Sequence, residues 1–200
     1  GSSVSDRGNE LFDRIRADAP GCAAGVARGA ETIFSRGFGL ADVDAGSPIV
    51  PETVFRVASV SKMFTAAAVL LLAQDGALSL NADVRALVPE LPDYGASVTI
   101  RRLLNHTGGL PEYETLYFAG DDAGRLDYDS ATRVDQLAAI ASLPELTSQP
   151  GERYAYTNTA YLLLALIVER VSGMSLQDFL QLRIFGPLGM KDTAFRGERA

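Results

Sequence analysis

The 200-residue chain has no tryptophan, one cysteine, one histidine and very little lysine. Each scarcity excludes something. The lone cysteine, Cys22, cannot close an internal disulfide and gives no metal site. It reads as a small buried residue beside a strand. No segment reaches the roughly 18 apolar residues that a membrane-spanning helix needs. Positive charge is in deficit: 18 Lys and Arg against 25 Asp and Glu leave a net charge of −7. Nothing would neutralise phosphates, so neither a nucleic acid nor an anionic membrane is an expected partner. Repeats and low-complexity tracts are missing too. What remains is the composition of an ordinary globular protein, 47% hydrophobic and 22% charged, with enough chain for one large domain or two small ones. The opening Gly1-Ser2-Ser3 resembles a cloning remnant, so an export signal could have been removed and the compartment is not readable.

Periodicity places a helix over Asn9 to Ala17, with Leu11, Phe12 and Ile15 on one side. Two short strands flank Arg28-Gly29-Ala30 as a hairpin, and the glycine-punctuated RGFGLADVDAG after it suits a strand leaving the sheet into a loop. Ser61 to Gln74 is a helix, apolar almost all round from Met63 to Ala73, and so expected to be central and buried. Short helices follow at Thr99–Asn105 and Val134–Ser142. Asn158 to Val171 is a second strongly apolar helix, closed by Gly173. Ser175 caps a further helix, with Asp178 placed as in a capping box and Pro187 beyond its end. Phe118 to Asp129 is a polar, acidic loop, either solvated surface or a lid beside a site.

Within VFRVASVSKMFTAAAVLLLAQDG, Ser59 and Lys62 stand three apart at the mouth of the apolar helix. Lysines are only two, Lys62 and Lys191, against sixteen arginines. A serine hydroxyl is a poor nucleophile until a base takes its proton. Arginine never gives up its own proton, whereas lysine can serve once burial disfavours its charged form. Three residues apart is one helical turn, so Lys62 can reach the Ser59 hydroxyl. Alone the motif is weak: the composition produces a Ser-x-x-Lys by chance in roughly one chain in seven. The plain alternative is a serine helix cap with a solvent-facing lysine.

A second element strengthens it. In GERYAYTNTAYLLLALIVE, Tyr156 and Asn158 stand two apart before the second apolar helix, and in an extended segment such residues point the same way. Tyr156 offers a phenol that can relay a proton. Asn158 offers an amide for a substrate carbonyl and for the lysine. Both motifs arise together by chance in about one chain in fifty. The plain alternative here is a core tyrosine beside an asparagine cap.

With these residues in hand, the chain resembles the serine β-lactamase and penicillin-binding-protein superfamily. The likeness is to the branch of class C β-lactamases, D-alanyl-D-alanine carboxypeptidases and related esterases. It rests on PETVFRVASVSKMFTAAAVLLLAQDGALSLNADV, VTIRRLLNHTGGLPEY, PGERYAYTNTAYLLLALIVERVSGMSLQDFL and IFGPLGMKDTAF, which follow in the family's order across most of residues 21 to 195. The resemblance implies that Ser59 is the acylated nucleophile and Lys62 its proton acceptor. Tyr156 would be the proton shuttle, Asn158 a substrate-binding residue, and the Ser59 N–H half of the oxyanion hole. It implies no cofactor and no metal.

The implied fold is α/β and β-lactamase/transpeptidase-like, one incomplete domain. Residues 1–60 would supply an N-terminal helix and sheet strands, 61–185 a helical subdomain, and 186–200 a return towards the sheet. The site would lie between sheet and subdomain. Family members continue well past residue 200 with more strands, a second oxyanion N–H and a third motif, so a complementary C-terminal segment is an expected partner. The HTG at His106 mimics that third motif but comes too early. A Ser-His-Asp relay through His106 has no specified acid, and Asp121 and Asp122 have no acid–base context. The expected function is a serine hydrolase forming an acyl-enzyme on ester or amide substrates: peptidase, esterase or β-lactamase. The alternatives are a non-catalytic binding or assembly protein of the same fold, or an inactive fragment.

Overall fold

The structure is a computed structural model in which residues 3–118 and 131–195 are described. The acidic loop read at Phe118 to Asp129 lies outside the described residues, apart from Phe118 itself. The chain divides into two compact units, Gly1–Arg56 and Val57–Ala200.

The first unit opens with α1 (Val4–Leu11). Ser3 caps it: its side chain accepts the Asp6 N–H, and the Asp6 carboxylate accepts the Ser3 N–H. That reciprocal cap fixes the start five residues earlier than the apolar spacing predicts, and the chain turns after Leu11. Residues 12–17 are therefore not helical, and Ser3 has a structural use. The hairpin is present as β1 (Cys22–Arg28) and β2 (Glu31–Phe38), paired from Cys22↔Phe38 to Arg28↔Glu31 with a bulge at Val26/Ala27. The segment after it does not simply leave as a loop. β3 (Leu40–Asp42) and β4 (Ser47–Pro48) form a second two-stranded pair. Gly37 permits the return, because a Cβ there would lie 1.9 Å from the Ile49 carbonyl oxygen. Cys22 is partly exposed rather than buried, since the hairpin has little packed against it.

The second unit is helical. A 3₁₀ turn (Ala58–Ser61) runs into α2 (Lys62–Gln74). Then come α3 (Ile100–Leu104), capped by Thr99, and α4 (Thr115–Phe118). α5 (Arg133–Ala141) follows, with a Thr132–Asp135 capping box, then α6 (Asn158–Ser172) and α7 (Leu176–Leu180), which continues as a π turn to Phe185. Gly173 ends α6 in the left-handed conformation, at φ 69°, which a residue without Cβ adopts freely. α2 packs on α6, and α3 and α7 pack on α6 as well. Val69, Leu163, Leu164 and Ile167 are fully buried in this core, each stabilising it by about 1.5–3 kcal/mol.

The expectation of an all-round buried α2 fails on one side. Ala68, Val69 and Leu72 are buried, but Met63 is 62% and Leu70 50% exposed. α6 covers one face of α2, and the opposite apolar face lies open. No single helix among the described residues is long and apolar enough to cross a membrane.

Candidate active site

Ser59 lies inside the 3₁₀ turn that leads into α2, and Lys62 is the first α-helical residue. One turn of separation brings the amine to the hydroxyl: Lys62 Nζ donates to Ser59 Oγ at 3.0 Å. The turn is strained. Ala58, directly before Ser59, has φ 46°, a conformation that costs a residue with a Cβ about 1–3 kcal/mol. Ser61 holds it by donating its hydroxyl to the Ala58 carbonyl at 2.7 Å. Ser61 therefore braces the turn and makes no side-chain cap of α2.

The other half of the site comes from the start of α6. Thr157 is the cap: its backbone is extended, and its hydroxyl accepts the Ala160 N–H. Asn158 is thus the first helical residue and not the cap. Tyr156, in the extended approach, donates its hydroxyl to Ser59 Oγ at 2.9 Å. Asn158 Oδ1 accepts from Lys62 Nζ at 2.7 Å. The four residues singled out in the sequence, Ser59, Lys62, Tyr156 and Asn158, therefore meet in one hydrogen-bonded cluster. Ser59 and Tyr156 face solvent, while Lys62 and Asn158 are half-buried.

Opposing influences act on the Tyr156 phenol. Burial pushes the Tyr156 hydroxyl up, and the Glu112 charge adds to that. The Lys62 and Ser59 side chains bonded to it, with the Lys62 charge, outweigh both and hold it below the usual phenol range. Lys62 Nζ also lies 4.9 Å from the centre of the Tyr156 ring and 5.9 Å from that of Tyr161.

His106 stacks at 4.5 Å against Tyr156 and 5.0 Å against Tyr161. Its Nδ1 accepts the Thr157 N–H at 3.3 Å, and its carbonyl accepts the Ala155 N–H at 2.8 Å. Burial first, and the Lys62 charge second, hold the imidazole below its ordinary pKa. A ring that accepts through Nδ1 is neutral, with its proton on Nε2. His106 thus props the Tyr156–Thr157 segment, and among the described residues no carboxylate bonds to it to complete a relay. Its φ of 58° is unusual for a residue with a Cβ and turns the chain here.

Two residues of the site escape sequence reasoning. Glu112 accepts the Asn158 N–H at 2.6 Å, and Glu114 accepts the Asn158 side-chain Nδ2–H at 2.9 Å. Both come from the segment between α3 and α4, tied to α6 through the buried Thr159, whose hydroxyl donates to the Pro111 carbonyl and accepts the Tyr113 N–H. The only signal in the sequence is a pair of acids two apart in PEYE, which is common on any surface.

Known proteins share this arrangement of chain. A penicillin-binding protein of Bacillus subtilis is 38% identical over 177 residues, covering 87% of this chain and 38% of its own length. The esterase EstB of Burkholderia gladioli is 36% identical, covering 97% of this chain and 52% of its own. The crystal structure of a D-amino acid amidase from Ochrobactrum anthropi superposes with a TM-score of 0.72 at 32% identity, over 90% of this chain and 48% of that one. The chain therefore spans about half, or less, of the length of these relatives. The β-lactamase family profile matches residues 9–200, nearly the whole sequence, and the chain belongs to that family.

Proposed function

We propose that the protein is a serine hydrolase that forms an acyl-enzyme on ester or amide substrates. One observation carries the reading: Ser59 Oγ is shared by an amine at 3.0 Å and a phenol at 2.9 Å. In its uncharged form Lys62 takes the Ser59 proton as Oγ bonds to the acyl carbon. Tyr156 passes its proton to the departing alcohol or amine and regains one from Lys62, which leaves the base free again. Water attacks the ester of Ser59 by the same route in reverse, giving the acid and restoring the hydroxyl. The depressed phenol eases the moment at which Tyr156 stands without its proton. Asn158 holds Lys62 in place and binds substrate. Relatives described as an esterase, a penicillin-binding protein and a D-amino acid amidase support an ester or amide substrate without choosing between them.

The same reading includes a complementary C-terminal segment. Val57, Val60, Met63 and Leu70 form an exposed apolar row along the 3₁₀ turn and α2, at helical spacing. Each sheet of the first unit has only two strands, a marginal number alone. The relatives possess the additional chain length that could cover such surfaces.

Incubation with a fluorophosphonate, followed by peptide mass analysis, tests the function. A mass increase is expected on the peptide containing Ser59, and none in Ser59→Ala. If neither this chain nor a form extended with the additional segment acquires the mass, the hydrolase reading falls. Labelling only in the extended form would assign part of the site to that segment.

A further inference from the structure

The Asn158 side-chain amide is held from both ends by groups of opposite character. A carboxylate, Glu114, takes its Nδ2–H at 2.9 Å, and the amine of Lys62 donates to its Oδ1 at 2.7 Å. Glu112 pins the main chain of the same residue through its N–H at 2.6 Å. A carboxylate only accepts, so Glu114 draws the Nδ2–H to itself and leaves Oδ1 to face Lys62, whichever charge state the amine is in. We propose that Glu114 is a positioning residue of the acyl-transfer site: it fixes the Asn158 amide so that oxygen, not nitrogen, faces Lys62.

The consequence is chemical as well as steric. An uncharged lysine has two N–H bonds and one lone pair. With Oδ1 facing it, one N–H of Lys62 is taken by Asn158, and the lone pair is left for the Ser59 proton. With the amide reversed, Nδ2–H would donate into that lone pair and compete with Ser59 for it. Glu114 touches neither Ser59 nor Lys62 in a hydrogen bond; its influence passes through Asn158. The segment Pro111–Glu114, through Glu112, Glu114 and the bond from Thr159 to the Pro111 carbonyl, thereby sets the geometry of a base nearly fifty residues away in sequence.

The catalytic consequence rests on the acyl-enzyme reading, while the positioning itself does not, and the experiment separates the two. In the ¹⁵N-labelled chain, the Asn158 side-chain amide pair, identified by its loss in Asn158→Asp, should show one proton shifted downfield and slow to exchange. Glu114→Ala should abolish that signature, and Glu114→Gln, whose amide oxygen accepts the same N–H, should keep it. Glu114→Met, matched in length, carries the same comparison should the alanine variant fold poorly. In parallel, the rate at which a fluorophosphonate phosphonylates Ser59, with fluoride leaving, should fall about tenfold in Glu114→Ala or Glu114→Met, and recover in Glu114→Gln. An unchanged Asn158 signature in the alanine and methionine variants would overturn the proposal. So would a wild-type phosphonylation rate and pH profile in those variants. Absence of phosphonylation in the wild type, with the signature lost as expected in the alanine and methionine variants, would instead sink the hydrolase reading and leave the positioning role standing.

Discussion

The two units of this chain differ most in what they bury. From Val57 onward, α2 and α6 pack into a continuous core in which Leu163, Leu164 and Ile167 are fully enclosed. In the first unit, Phe34 and Ile49 are the only buried apolar side chains among the described residues. The contrast separates two ways of being β-lactamase-like. Helices satisfy their backbone hydrogen bonds locally and need only one covered face, so the second unit has a core of its own. A strand needs a neighbour on each edge and cover on its faces, which two two-stranded sheets cannot supply. The candidate catalytic cluster lies wholly in the better-packed unit, where rigid helix starts can hold it.

The largest expected effect probes where the chemistry resides. Lys62→Arg keeps a positively charged, slightly longer side chain but removes a group able to take a proton. Acylation of Ser59 by a reactive ester should fall about 10²–10⁴-fold, measured as a second-order rate. Val26→Ala, on the 45% exposed hairpin position, should leave that rate unchanged. A rate that survives the arginine substitution would remove the lysine from the mechanism.

Stability gives the next contrast. Leu164→Ala opens a cavity in the α2–α6 core and should cost about 2–5 kcal/mol in urea unfolding. Val26→Ala should stay within about 0.5 kcal/mol, as an exposed substitution does. If the two cost the same, the view of a well-packed and a thinly packed unit is wrong.

The smallest effect concerns His106. The folded state keeps this imidazole below its ordinary pKa, by burial and then by the Lys62 charge. The unfolded chain accordingly binds a proton more readily below about pH 6.5. Stability should therefore be undiminished above about pH 6.5 and decline as pH falls through the window below it. His106→Asn, which tolerates the positive φ, should flatten that part of the profile. Urea midpoints between pH 5 and 7.5 read the difference, and parallel curves for the two proteins would show that His106 does not titrate in this way.

Local signals were strong enough for several elements. The hairpin about Gly29, the helices after Thr99 and Ser175, and the Gly173 stop each depend on residues within a few positions of one another, where capping and turn chemistry act. α1 was misplaced for the same local reason read too narrowly: apolar spacing pointed to residues 9–17, and the Ser3–Asp6 cap decided otherwise. The burial of α2 could not be read, because an all-apolar helix carries no periodicity to say which face a partner will cover. Met63 and Leu70 lie open because α6 takes the other side.

The sequence by itself determined the chemistry available: a serine and a lysine one turn apart, a tyrosine and an asparagine ahead of a second apolar helix, and family-like segments in order around them. Spacing of three or two residues suffices for that, since it is set by backbone geometry. Only the tertiary structure decided that the Tyr156 hydroxyl reaches Ser59 across 97 positions, and that Glu112 and Glu114 clamp Asn158 from a loop more than forty positions away. Those contacts depend on how α2, α6 and the Pro111–Glu114 segment pack, and packing is a property of the whole core that no short stretch of residues encodes.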